Sequence, residues 1–237
     1  MITKEQISKI ANQYQTTEVN ALREYFQHLF LYYFYKQPQT NSIFFKGGTA
    51  LRFIYKSPRF SQDLDFSANL SGSAEIEEIL TQTLAEIEKE GTPTDLQEAK
   101  VTSGGYLIII LFQKDPAVAI QVEISFRGGD SRGELTTIAN DFIPNYTVLG
   151  LVQDQLVDEK IQALSARKKP RDFYDLYFIL RANLLPPQKK SILPQVLAAL
   201  RQADINFENE LKEFLPKTHW VIIRDFKKTL EREINRY

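Results

Sequence analysis

The stretch YLIIILF at 106–112, followed after Asp115-Pro116 by VAIQVEISF at 118–126, constrains this 237-residue chain more than any other. A short all-apolar run is the pattern of a central strand covered on both sides. Asp115-Pro116 is a turn signal. The segment after it alternates, with Val118, Ile120, Val122, Ile124 and Phe126 on one face and Ala119, Gln121, Glu123 and Ser125 on the other. Together the two segments predict a hairpin inside a sheet, with Glu123 carried on the polar side of an otherwise apolar strand. The apolar run is far short of the ~20 residues that a membrane helix needs, so no membrane partner is expected.

Around this hairpin the hydrophobic period changes twice. Residues 1–36 read as helical, because Leu22, Phe26, Leu29, Phe30 and Tyr33 recur at steps of three and four; Thr17 is a candidate cap and Pro38 a stop. From 43 the chain predicts a strand (43–45), a helix (50–55) closed off by Pro58, a strand (63–66) and an amphipathic helix (73–89) with Ile76, Ile79, Leu84 and Ile87 turned inward. After Pro144 it reads as helical to the end, with helices near 153–168, 171–182, 188–202 and 207–236, the last kinked or divided at Pro216. The expected fold class is α+β: N-terminal helices, a small mixed β-sheet and a helical C-terminal half. The expected domains are an α/β core over 1–145 and a helical domain over 146–237 that contributes to the same active-site cleft.

The stretch FKGGTALRFIYKSPRFSQDLDF at 45–66 is costly for stability alone, since glycine weakens regular structure and aspartate is a poor strand former. In a strand, Asp63 and Asp65 share a face, roughly 6.5 Å apart along the chain. Two carboxylates at that separation repel, and a divalent cation reverses the sign of the interaction. A strand whose polar face simply meets water would also place two aspartates this way. The preceding Gly47-Gly48-Thr49 lies between a strand and a helix; its glycines let backbone N–H groups approach an anion, and Thr49 can cap the helix. An ordinary strand-to-helix turn is the plainer alternative. Glu123 is the candidate third carboxylate, with a solvent-facing role as its alternative.

A second constellation lies in DEKIQALSARKKPRDFYDLYFIL at 158–180. Lys160 stands beside an apolar helix face. Asp172 and Asp175 share one side of a helix that is otherwise largely apolar, where a charge is usually paired or facing a cleft. Internal structure would also account for them, with Asp175 bonding an arginine and Asp172 favoured by the helix start after Pro170. Arg167, Lys168, Lys169 and Arg171 form a basic cluster, either a solvated loop or a grip on nucleotide or RNA phosphates. Only a local patch could do this, because the formal net charge of −1 provides no global field for a polyanion. The absence of cysteine excludes disulfides and thiolate metal sites and is compatible with a reducing cytosol; no signal peptide is visible at the start.

KGGTAL, then RFSQDLDF, then EKIQALSARKKPRDFYDLYFIL resemble the AbiEii/AbiGii-type nucleotidyltransferase toxins of the DNA polymerase β-like nucleotidyltransferase superfamily, over about 43–180. The resemblance implies a cytoplasmic prokaryotic enzyme that uses Mg²⁺ (or Mn²⁺) to move a nucleoside monophosphate from an NTP to a hydroxyl of RNA, tRNA included, or of protein. It further implies the toxin of a toxin–antitoxin pair, with a cognate antitoxin as partner. The implied nucleotide-binding set is Lys46, Gly47, Gly48, Thr49, Arg59 and Ser61. Asp63 and Asp65 are the implied metal pair, with Glu123 where the superfamily usually has aspartate. The implied catalytic set adds Lys160, to neutralise phosphate charge, and Asp172, to orient Lys160 or act as a base. Two alternatives stand beside this. One is an NTP-dependent phosphotransferase, kinase or phosphohydrolase using the same D-x-D metal site, with Ser61 as a phosphate acceptor. The other is a binding protein that keeps the fold without turnover.

Overall fold

Two threonines open the first two helices. Thr3 accepts the Gln6 N–H at 3.2 Å while the Gln6 side chain accepts the Thr3 N–H at 2.8 Å, a reciprocal cap on α1 (Lys4–Gln13). Thr17 accepts the Asn20 N–H at 3.2 Å and starts α2 (Glu18–Phe34). The helical run predicted for 1–36 is therefore two helices, parted near Gln15, whose φ of 54° no helix continues through. The computed structural model describes residues 2–70, 72–126 and 130–237. These form two compact units, one running up to Lys56 and then over Phe60–Leu151, the other over Ser57–Arg59 and Val152–Tyr237.

The first unit adds β1 (Ile43–Lys46), α3 (Gly47–Phe53), β2 (Leu64–Ala68), α4 (Ala74–Lys89), β3 (Thr94–Thr102), β4 (Gly105–Phe112), β5 (Val118–Ser125), β6 (Gly133–Ile138) and β7 (Tyr146–Leu151). Among the described residues its sheet has seven strands in the order β3-β4-β5-β2-β1-β7-β6. The predicted hairpin is β4–β5, antiparallel, with Ile110 opposite Ile120 and Ile108 opposite Val122. β2 lies parallel to β5 and antiparallel to β1, and β1 lies parallel to β7. The sheet is thus mixed, as expected.

One face of the sheet is packed by α2. Phe26 stacks on Phe112 with ring centroids 4.4 Å apart, and Phe34 meets Phe66 at 5.1 Å. Leu64, Phe66, Ile110, Ile120 and Val122 are all fully buried, and each such side chain contributes about 1.5–3 kcal/mol on removal from water. Because side chains alternate along a strand, this packed face turns Asp65 and Glu123 to the opposite side.

The chain beyond Pro144 does not turn helical at once, contrary to its sequence pattern. β7 comes first and closes against β1, so the helical unit begins at Val152 and not at 146. That unit comprises α5 (Gln153–Arg167), α6 (Pro170–Arg181), α7 (Leu193–Gln202), α8 (Phe207–Leu211), α9 (Trp220–Arg224) and α10 (Phe226–Ile234). The long helix predicted for 207–236 is divided into three, with Pro216 capping a short turn between α8 and α9. Tyr174, Phe207 and Phe226 form the aromatic centre of the unit, with Phe207 and Phe226 4.9 Å apart and Tyr174 stacked on Phe226 at 5.8 Å.

Candidate active site

The three central strands set one row of side chains. Lys46 is in register with Asp65, and Asp65 with Glu123. In-register neighbours point to the same side of a sheet, so Lys46, Asp65 and Glu123 stand in line across β1, β2 and β5. The line is polar because the opposite face is committed to the core: Phe45, in register with Phe66, packs against it with ring centroids 5.6 Å apart.

Gly47 ends β1 and enters α3 with φ of +80°, a conformation that side chains other than glycine rarely adopt. A Cβ at that position would lie 2.0 Å from Asp65 Oδ2 and 2.7 Å from Asp65 Cβ. Glycine is required here twice over, for the backbone angle and for the room that the Asp65 carboxylate occupies. Gly48 follows inside the helix and is buried.

Thr49 does something other than cap that helix. Lys46 is the residue at the cap position, while the Thr49 hydroxyl is fully buried and donates to the Asp63 carbonyl at 2.5 Å. Thr49 therefore ties the glycine corner to the segment that carries the first aspartate. Asp63 itself stands one residue ahead of β2, outside the paired register that begins at Leu64. Ser61 enters through its main chain, its carbonyl accepting from Gln27 Nε2 at 3.0 Å. Gln27, a buried amide on α2, was not singled out by sequence reasoning. Its one signal is a glutamine on a helix whose other inward positions are mostly apolar.

Magnesium takes oxygen ligands, keeps several waters, and is held by one or two carboxylates together with substrate phosphates. Asp63 and Asp65, two residues apart beside a glycine that leaves Asp65 its space, supply such oxygens, and the donor set fits Mg²⁺ or Mn²⁺. Among the described residues, however, no group of three or more histidine, aspartate or glutamate side chains is gathered so as to hold an ion. Glu123, expected as a third ligand, is exposed, and its carboxylate accepts from Gln121 Nε2 at 2.5 Å. The strand register brings it beside Asp65, but its longer side chain lies along its own strand.

Arg59, Lys160 and Asp172 belong to the helical unit and have partners there. Arg59 is buried and gives a forked pair of hydrogen bonds to Asp175, at 2.7 and 2.9 Å. Lys160 Nζ reaches the second Asp175 oxygen at 2.8 Å. Burial pushes the Asp175 carboxyl up, but the charges and hydrogen bonds of Arg59 and Lys160 outweigh it and hold it at about 2. Arg59, expected to grip nucleotide, is thus engaged with a buried carboxylate, as the structural alternative for Asp175 had it. Lys160 is oriented by Asp175, and not by Asp172. Asp172 accepts from Arg167 at 2.8 and 2.9 Å and from the Lys169 N–H at 3.1 Å, which makes it the acidic cap of α6. Of the basic cluster, Arg167 is drawn into that cap, while Lys168 and Lys169 are exposed between α5 and α6.

The mixed sheet, packed by helices on one face, thus carries on the other a polar row whose middle residue, Asp65, lies against a glycine corner. The profile of the AbiEii nucleotidyl transferase toxins of type IV toxin–antitoxin systems matches residues 29–235, and the chain belongs to that family. Among solved structures it is similar to MenT4, a nucleotidyltransferase toxin of Mycobacterium tuberculosis H37Rv, at 17% identity and a TM-score of 0.63 over 98% of this chain and 90% of that one. JHP933 of Helicobacter pylori gives 18% identity and a TM-score of 0.54, over 93% of this chain and 97% of that one. At such identities the likeness is one of fold. No curated protein sequence matches the chain.

Proposed function

We propose that the chain transfers a nucleoside monophosphate from an NTP to a hydroxyl group of RNA or protein, that it needs Mg²⁺ or Mn²⁺ to do so, and that it acts as a toxin held in check by a cognate antitoxin. The observation that carries this reading is the contact of the glycine corner with the middle of the polar row, where a Cβ on Gly47 would collide with the Asp65 carboxylate. A backbone that close to a carboxylate brings phosphate-binding N–H groups and a cation-binding oxygen to one place.

Asp63 and Asp65 would hold the ion, with Glu123 beside Asp65 as a further donor. When bound, the ion supplies neutralisation of the triphosphate charge. The backbone at Gly47 and Gly48 binds the phosphates, and Lys46, in register with Asp65, adds positive charge at the edge of the same row. The acceptor oxygen forms a bond to the α-phosphorus as the bond to the β-phosphate oxygen breaks. Pyrophosphate leaves, and the hydroxyl proton passes to a carboxylate of the row or to water. Most of the acceleration comes from positioning and charge stabilisation.

The test is incubation with each NTP, α-labelled in one arm and γ-labelled in a parallel arm, with Mg²⁺ and either total RNA or total protein. Label in one macromolecular fraction supports the reading and identifies the acceptor class. Label that follows only the γ-phosphate would instead make the chain a phosphotransferase or phosphohydrolase.

A further inference from the structure

The segment at 61–63 leads into β2 ahead of the paired register, yet each of its three consecutive carbonyls is taken up by a buried side chain. Gln27 Nε2 donates to the Ser61 and Gln62 carbonyls, both at 3.0 Å. Thr49 Oγ1 donates to the Asp63 carbonyl at 2.5 Å. Gln27 is 1% exposed and Thr49 is wholly buried. The two carbonyls also decide which way the Gln27 amide faces, because the flipped amide would set its oxygen against both of them.

The Gln62 carbonyl lies in the peptide plane that precedes Asp63, and the Asp63 carbonyl lies in the plane that follows it. Anchoring both planes fixes φ and ψ at Asp63, and with them the direction of its Cα–Cβ bond. Asp65 receives its direction from the sheet, through its register with Lys46 and Glu123. Asp63 has no such ladder position and receives it from Gln27 and Thr49. A buried amide is costly unless its hydrogen bonds are made. A leucine or methionine would fill the same helix position without that cost, so the two bonds are what the glutamine adds there.

We propose that Gln27 is a positioning residue, which from α2 sets the backbone of Asp63 and so the geometry in which Asp63 and Asp65 take up a divalent cation. The inference rests on reading those two aspartates as cation ligands. Gln27 lies outside 29–235, the stretch that the family profile matches.

The experiment is a Mn²⁺ titration of the full chain, followed by electron paramagnetic resonance, with thermal melts of the metal-free proteins alongside. Wild type, Asp65→Asn, Gln27→Met, Gln27→Glu and Gln27→Asn are compared. Asp65→Asn is expected to abolish binding. Gln27→Met keeps the volume but donates nothing, and Gln27→Glu, neutral when buried against two carbonyls, donates one O–H at most; each is expected to weaken Mn²⁺ binding, Gln27→Met by about tenfold, the ordinary effect of removing a group that orients a ligand. Gln27→Asn, one methylene shorter, reaches one carbonyl at most and is expected to fall between Gln27→Met and wild type; it remains informative if the other two fail to fold. If Asp65→Asn loses the ion while folded Gln27 variants, lowered in melting temperature, bind it within about twofold of wild type, Gln27 is a packing residue only and the proposal is overturned. If Asp65→Asn binds Mn²⁺ like wild type, the ligand reading fails, and the proposal with it.

Discussion

Asp65 and Glu123 are in register on the parallel strands β2 and β5 and stand on the same side of the sheet. Adjacent strands run about 4.8 Å apart, so two acidic residues are held as neighbours by backbone pairing alone. Lys46, in register with Asp65 on its other side, completes the row.

Glu123→Gln should therefore separate function from folding. Glu123 is exposed and contributes no core packing, so stability should stay within about 0.5 kcal/mol of wild type. Nucleotidyl transfer should fall by more than about tenfold. Urea denaturation and single-turnover rates measure the two effects. An unchanged rate would reduce Glu123 to a solvated residue that hydrogen-bonds to Gln121.

Gly47→Ala should damage both. The new methyl group meets the Asp65 carboxylate at 2.0 Å and the backbone angle of +80° becomes strained, a cost on the order of 1–3 kcal/mol. Transfer should fall further than the melting temperature alone explains, because the displaced group is Asp65. A variant with wild-type melting and wild-type transfer would show that the corner has room to spare.

The Arg59–Asp175–Lys160 group should be a stability element of the helical unit. Asp175→Asn removes the carboxylate that faces buried Arg59 and partly buried Lys160 and should cost about 3–5 kcal/mol. The pH dependence has a definite sign. The Asp175 carboxyl is held at about 2, below its ordinary 3.8, so its contribution, roughly 2 kcal/mol, is present above pH 4 and is lost as pH falls toward 2. Denaturation between pH 6 and pH 2 should show this loss in wild type and a flatter profile in Asp175→Asn.

His28 should add a second acid-sensitive component at higher pH. It is buried on α2, stacked on Phe53 at 3.9 Å, with Nδ1 2.7 Å from the Tyr146 hydroxyl. Burial, reinforced by the charges of Arg52 and Lys56, keeps its ring neutral well below the ordinary 6.5. The unfolded chain takes up a proton below pH 6.5 that the folded chain refuses, so stability should fall between pH 6.5 and pH 5. His28→Phe should reduce that slope, leaving the part contributed by His219, whose ring is also held below its ordinary value by burial; an unaltered slope would assign it to other groups.

Much of this was legible in the sequence where side-chain period carried the signal. The β4–β5 hairpin, α2 and α4 follow from apolar alternation and three- or four-residue steps, and the glycine corner and D-x-D pair follow from residues poorly suited to the elements they interrupt. β3 and β6 were hidden because they are edge strands with mostly exposed, polar sequences, TDLQEAKVT and GELTTI. β7 was masked by the helices that follow it. The partners of charged residues were the least legible part. Nothing in the spacing assigns Lys160 to Asp175 rather than Asp172, or turns the Thr49 hydroxyl from the helix start to the Asp63 carbonyl, since those pairings are set by packing. Gln27 was missed for the same reason, as its role lies in two carbonyls that are 34 and 35 positions away.

The most direct test of the central claim, that the Asp65 carboxylate against the glycine corner is the catalytic centre of a nucleotidyltransferase, is transfer of label from α-labelled NTP by wild type and Asp65→Asn, with and without Mg²⁺. Wild type should label its acceptor only when Mg²⁺ is present, and folded Asp65→Asn should label nothing. Transfer by Asp65→Asn at the wild-type rate, or no transfer from α-labelled NTP by wild type while a parallel γ-labelled NTP passes on its label, would contradict it.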